Sequence, residues 1–123
     1  MCMCEIRRDD MGPLKVLHLH SAKAGLEAIV VVDNIALGPA IGGVRVSPTV
    51  GLPEVQRLAR TMTLKNSIAG LPHGGGKAGI VHDPAKGDKR QYFKVFASLI
   101  KKPRGICPRP GHGKRRGVHG VDL

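Results

Sequence analysis

Hydrophobic and polar positions alternate through residues 14–20, where Leu17-His18-Leu19-His20 puts apolar side chains on one face and two histidines on the other. A period of two predicts a first strand there. Residues 21–25 have turn composition, and residues 26–33 are nearly all apolar and β-branched after Glu27. Such a run suits a strand covered on both faces. Two strands joined by a short glycine-containing loop predict a hairpin. Residues 33–45 hold Gly38-Pro39 and Gly42-Gly43 and read as loop or bulge, with Val44-Arg45-Val46 as a short strand broken by the residues after Ser47.

At Pro53 the period changes. A proline at the first position and Glu54 in the first turn favour a helix start. Val55, Leu58, Ala59 and Met62 then recur at i, i+3, i+4 and i+7, which predicts an apolar stripe. Lys65 falls on the border of that stripe, where a lysine lays its stem on the core and aims its ammonium into a cleft. Gly70 and Pro72 close the helix. Gly74-Gly75-Gly76 reads as a turn that delivers Lys77, because glycine runs are tolerated where something must approach the backbone closely. Residues 78–81 predict a short strand, and His82-Asp83-Pro84 a turn. A second amphipathic helix is expected from Asp88 as N-cap to Lys102, with Tyr92, Phe93, Val95, Phe96, Leu99 and Ile100 on its buried side. The elements make an α/β fold. Residues 1–13 are expected to be a disordered leader, 14–102 the folded domain and 103–123 an irregular basic tail.

Composition narrows the partners. A chain of 123 residues has room for one domain, and an apolar content of 41% with only 2% aromatic residues makes its core aliphatic. The net charge of +11 would suit a polyanion partner, but the excess is spread along the chain without interleaved aromatics. A nucleic-acid partner is therefore not expected. No apolar run approaches a membrane span of roughly 18–20 residues, and residues 1–8 lack the apolar segment of a secretory signal. Three cysteines without a secretory marker fit a reducing, cytoplasmic setting. Cys2-x-Cys4 and His18-x-His20 could be assembled into a metal set, but a tail and a strand explain them more simply, and no metal site is expected.

The candidate chemistry lies in the two lysines. Gly74-Gly75-Gly76-Lys77 is not a phosphate-binding P-loop, which would need glycine at position 71 and a hydroxyl after the lysine, where the chain has Leu71 and Ala78. No G-x-G-x-x-G fingerprint stands between a strand and a helix, so no cofactor-binding residues are assigned. Of two neighbouring lysines, one can pair with a substrate carboxylate. The other, its pKa lowered by burial and by the first charge, can polarise water or transfer a proton. Spacing alone leaves open that both are solvated surface lysines.

Three ordered blocks bear on that choice: residues 37–45 (Leu-Gly-Pro-Ala-Ile-Gly-Gly-Val-Arg), residues 57–66 (Arg-Leu-Ala-Arg-Thr-Met-Thr-Leu-Lys-Asn), and Ala69-Gly70-Leu71-Pro72 with Gly74-Gly75-Gly76-Lys77-Ala78. With their spacing, the sequence from about residue 25 to 84 resembles the glutamate/leucine/phenylalanine/valine dehydrogenase family, in its N-terminal substrate-binding and dimerisation domain. The resemblance implies a mixed β-sheet with flanking helices, oxidative deamination of an L-amino acid to a 2-oxo acid with NAD or NADP, and a homo-oligomer in the full-length protein. It makes Lys65 the residue that holds the substrate α-carboxylate, Lys77 the catalytic lysine, and Gly42, Gly43 and Met62 lining residues of the substrate pocket. In the family the lysine assists water attack on the imino acid, a later aspartate shuttles protons at nitrogen, and hydride passes to a nicotinamide on a separate Rossmann domain. Glutamate-specific relatives tend to place a lysine just before the Gly-Gly pair. Ile41 stands there in this chain, so an apolar substrate is expected.

The Rossmann domain and the family's Gly-Pro-Asp-Met-Gly segment are missing from this sequence. Residues 106–113 read Ile-Cys-Pro-Arg-Pro-Gly-His-Gly where that segment should fall. A coding sequence for them, read one base later, can give Tyr-Val-Pro-Gly-Pro-Asp-Met-Gly, and residues 114–122 can continue in family-like fashion. The expectation is a frameshift near residues 102–103, an out-of-frame tail, and no activity from this chain alone. The alternative is a non-enzymatic basic module that binds anions or RNA through residues 103–123.

Overall fold

The apolar runs pair into one sheet. In the computed structural model, which describes residues 6–23, 25–83 and 90–101, strand β1 (Lys15–Ser21) and strand β2 (Leu26–Asn34) form the expected antiparallel hairpin, with Lys15 opposite Val32 and Ser21 opposite Leu26. Gly25, at a φ of 68°, supplies the left-handed residue of the turn. His18 and His20 are exposed on one face of β1, as their alternation predicts.

Strand β3 (Ala40–Ile41), strand β4 (Val44–Ser47) and strand β5 (Gly74–Val81) complete a five-stranded mixed sheet. β5 is central. It pairs antiparallel with β2 on one side and parallel with β3 and then β4 on the other. Helix α1 (Leu52–Ile68) covers one face and helix α2 (Arg90–Lys101) packs on the other. On the α1 face Ile29 and Val31 meet Val50, Leu52, Val55 and Ala59. On the α2 face Leu26, Ala28, Val30, Ala78 and Ile80 meet Phe96 and Ile100. β2, buried on both sides, is the strand whose sequence runs without alternation.

Four expectations change. The triglycine is not a turn: Gly74, Gly75 and Gly76 are the first residues of β5. Gly74 and Gly75 serve close packing, since a Cβ on Gly74 would collide with the Asn34 carbonyl and one on Gly75 with the backbone of Thr63 in α1; further along β5, a Cβ on Gly79 would come within 2.8 Å of a Val55 methyl. The loop expected over residues 33–45 contains β3, a strand too short to show a period. The α1 stripe is rotated from the expected one. Its buried residues are Leu52, Val55, Ala59, Thr63 and Asn66, while Leu58 and Met62 are half-buried, because the stripe continues through polar residues that find partners in the sheet. Finally, residues 6–13, expected to be unstructured, make defined contacts. Asp9 accepts hydrogen bonds from the Met11 and Gly12 amides and pairs with Arg60. Asp88, Lys102 and the basic tail at 103–123 lie outside the described residues. No helix among the described residues is long and apolar enough to cross a membrane. None of them form a group of three or more His, Cys, Asp or Glu side chains placed to hold a metal, and Cys2 and Cys4 are not among them.

Candidate active site

A single register organises the site. Ala40 pairs with Gly74 and Ile41 with Gly75 in β3, and Val44 pairs with Ala78 in β4. The two short strands therefore follow the same line along β5, and the gap between them places Gly42 opposite Gly76 and Gly43 opposite Lys77. The backbone confirms the fit: the Ala78 amide donates to the Gly43 carbonyl at 3.2 Å. A Cβ on Gly42 would run into the Gly76 carbonyl, so only glycine allows this approach. Gly43 carries no side chain and, like Lys77, is partly exposed.

Alternation along β5 decides which way Lys77 points. Ala78 and Ile80 pack with α2, so Gly75, Lys77 and Gly79 face α1. Lys77 is half-buried there, opposite the fully buried Val31. Its ammonium is held below the ordinary lysine range, mainly by burial, then by the positive charge of Arg45 and then by that of Lys65. Lys65 lies in the last turn of α1 and is exposed. The helix stops just beyond it: the Ala69 amide donates to the Lys65 carbonyl, Gly70 takes a φ of 70°, and the Leu71 amide donates to the Asn66 carbonyl. Met62 sits half-buried one turn earlier on the same helix. Ile41, half-buried in β3, immediately precedes Gly42. The charge of Lys65 thus reaches Lys77, with Gly43 opposite Lys77, Gly42 one residue before it and Met62 on the helix that carries Lys65.

Polar groups that periodicity does not flag hold this frame. Asp33, 2% exposed at the end of β2, accepts hydrogen bonds from Thr63 Oγ1 at 2.7 Å and from Arg60 Nε at 2.8 Å. Arg60 also donates from Nη1 and Nη2 to the two oxygens of Asp9, at 2.7 and 2.8 Å. Held by two carboxylates, the Arg60 guanidinium is pushed above its ordinary range, and Asp9 well below the usual carboxylate range. Buried Asn66 donates to the Gly74 carbonyl at 2.7 Å, fixing the end of α1 to the start of β5. An acid closing an apolar strand and a polar residue continuing a buried stripe were the signals available for this network.

Gly74, Gly76 and Gly79 match the G-x-G-x-x-G spacing literally, but they lie inside a strand. The dinucleotide cradle needs that spacing at a strand-to-helix turn, where amides converge on a pyrophosphate. These glycines do not fit a nicotinamide cofactor, and no step is routed through one.

The architecture is thus that of a small α/β domain that presents two interacting lysines from one helix end and one strand. The sequence profile of the Glu/Leu/Phe/Val dehydrogenase dimerisation domain matches residues 13–109, and the chain belongs to that family. It is 40% identical over 95 residues to leucine dehydrogenase of Geobacillus stearothermophilus, covering 74% of this chain and 26% of that protein. It is 41% identical over 96 residues to valine dehydrogenase of Streptomyces virginiae, covering 75% and 27%. Its fold matches the crystal structure of L-tryptophan dehydrogenase from Nostoc punctiforme with a TM-score of 0.63, at 36% identity, covering 72% of this chain and 29% of that one. The chain spans about a quarter of the length of the two curated relatives.

Proposed function

We propose that this domain is the substrate-binding half of an NAD(P)-dependent amino-acid dehydrogenase acting in the cytoplasm as a homo-oligomer, with an apolar L-amino acid as substrate. The observation that carries the reading is the placement of Lys77. It stands half-buried on the α1 face, beside two glycines, with its pKa lowered by burial, Arg45 and Lys65. An amine in that state exchanges protons near neutral pH more readily than an ordinary lysine. Lys65, exposed and cationic at the end of α1, takes the substrate α-carboxylate. Lys77 takes the catalytic role, assisting the attack of water on the imino acid. Gly42, Gly43 and Met62 line the pocket, with Gly43 placing no side chain opposite Lys77.

Ile41 sets the preference for an apolar side chain. A glutamate side chain brought against it would leave a carboxylate unpaired, a cost of several kcal/mol. The family description, a dimerisation domain, supports the oligomer. The nicotinamide and the proton-shuttling aspartate belong to parts that these residues do not supply, and the 123-residue chain alone should show no turnover. The reading is tested by steady-state NAD(P)-linked assays of a full-length protein carrying this domain. Leucine or valine should be deaminated far better than glutamate, and Ile41→Lys should shift the balance toward glutamate. Absence of turnover with any amino acid would remove the reading, and equal use of glutamate and leucine would remove the role of Ile41.

A further inference from the structure

We propose that the Arg45–Glu54 ion pair is a positioning device for Lys77: Arg45 supplies a permanent positive charge that favours the neutral amine, and Glu54 limits how much of that charge Lys77 feels. The inference rests on reading Lys77 as the reacting lysine.

The geometry begins with β4. Val44 and Val46 pack into the cluster on the α2 face, so Arg45 between them emerges on the α1 face. Arg45 pairs in register with Gly79, one strand over from Lys77 and two residues along. The residue opposite Lys77 itself is Gly43, which carries no side chain. Glu54, in the first turn of α1, reaches Arg45 Nε at 3.1 Å from above the sheet.

Among the described residues, the charged groups packed against this surface from β2 and α1 have partners of their own. On β2, Asp33 is engaged by Arg60 and Thr63 of α1, and Arg60 is further matched by Asp9. Among the described residues, Arg45 from β4 and Lys65 from α1 are the positive charges that hold the Lys77 pKa down beyond the effect of burial, Arg45 ahead of Lys65.

The two cations differ in one respect that matters for catalysis. Lys65, on the proposed reading, is neutralised when a substrate carboxylate binds it. Arg45 is occupied by Glu54 and not by substrate. Arg45 is therefore the cation that keeps Lys77 primed in the loaded site, and the strength of its partnership with Glu54 tunes the effect.

The test is the pH profile of Lys77 labelling by trace acetic anhydride on the 123-residue chain, followed by peptide mass spectrometry with exposed Lys15 as internal reference. At a pH below the midpoint, Arg45→Gln should label Lys77 about threefold more slowly, corresponding to a midpoint about half a pH unit higher. Glu54→Gln should do the reverse, labelling it faster with a lower midpoint, because Arg45 is then uncompensated. Arg45→Lys should restore the original profile. A purely structural ion pair would give shifts of the same sign in the Gln variants, or none, and either outcome overturns the proposal. The labelling needs neither substrate nor cofactor, so its failure would leave the dehydrogenase reading to the turnover assay.

Discussion

The two faces of the sheet are built from alternate residues of the same strands, yet they are spent differently. On the α2 face, Ala28, Val30, Ala78 and Ile80 close on Phe96 and Ile100, an aliphatic core with aromatic help. On the α1 face, β5 offers Gly75, Lys77 and Gly79, and the helix descends until Thr63 and Val55 meet backbone. On the α2 face β5 contributes side-chain volume. On the α1 face the apolar volume comes from β2 and the helix, and β5 gives up volume so that a helix carrying Lys65, Arg60 and Glu54 lies close to a strand carrying Lys77.

That contrast can be broken by substitution. Gly75→Ala should cost more than about 3 kcal/mol, since a Cβ would have to displace helix backbone and not a flexible side chain. Ala78→Gly, the neighbouring position class on the other face, should cost only about 1 kcal/mol. Urea unfolding of both variants gives the comparison, and a Gly75→Ala loss within 1 kcal/mol would contradict the close approach. Phe96→Ala should cost about 3 kcal/mol through the cavity it leaves, with amide protection lost in α2 before β2 and β5. Protection lost uniformly would mean that α2 and the sheet are one cooperative unit.

Two smaller effects depend on pH. Asp9 is held below its unfolded value of 3.8 by Arg60, so its contribution is complete above that pH and fades as pH falls through and below it. Asp9→Asn should destabilise slightly at pH 7, and the difference from the parent chain should disappear in acid, as read from midpoints at each pH. Lys77 makes an unfavourable contribution at neutral pH where Asp9 makes a favourable one, although stability again rises with pH. Its folded value lies below the ordinary 10.5, so the unfolded chain binds the extra proton, and the resulting penalty is full below the folded value and relieved as pH rises toward 10.5. Lys77→Met should therefore stabilise the chain slightly at pH 7 and lose that advantage at high pH. A destabilising Lys77→Met at neutral pH would mean the lysine serves the fold.

Much of this was legible in the sequence, and the omissions have a common cause. Alternation found β1, an unbroken apolar run found β2, and helical spacing found α1 and the buried side of α2. Lys65 stood out at the border of an apolar stripe and Lys77 by the three glycines before it. The triglycine was misleading because glycine has no side chain to register a period of two, and its freedom suggests a turn. Its reason for being there is a helix that arrives from residues 52–68. The stripe of α1 was misplaced by the same blindness to partners: Thr63 and Asn66 look like surface residues until Asp33 and the Gly74 carbonyl are brought against them. Local pattern reports elements, whereas close approach and buried polar pairs are set by what folds onto them.

The most direct measurement is steady-state kinetics of a full-length protein carrying this domain, with Lys77→Met and Lys65→Met compared on leucine. If Lys77 does proton work and Lys65 holds the carboxylate, Lys77→Met should lower kcat by about 100-fold or more, while Lys65→Met should act chiefly by raising KM. A Lys77→Met enzyme that kept its kcat within a few-fold would contradict the account.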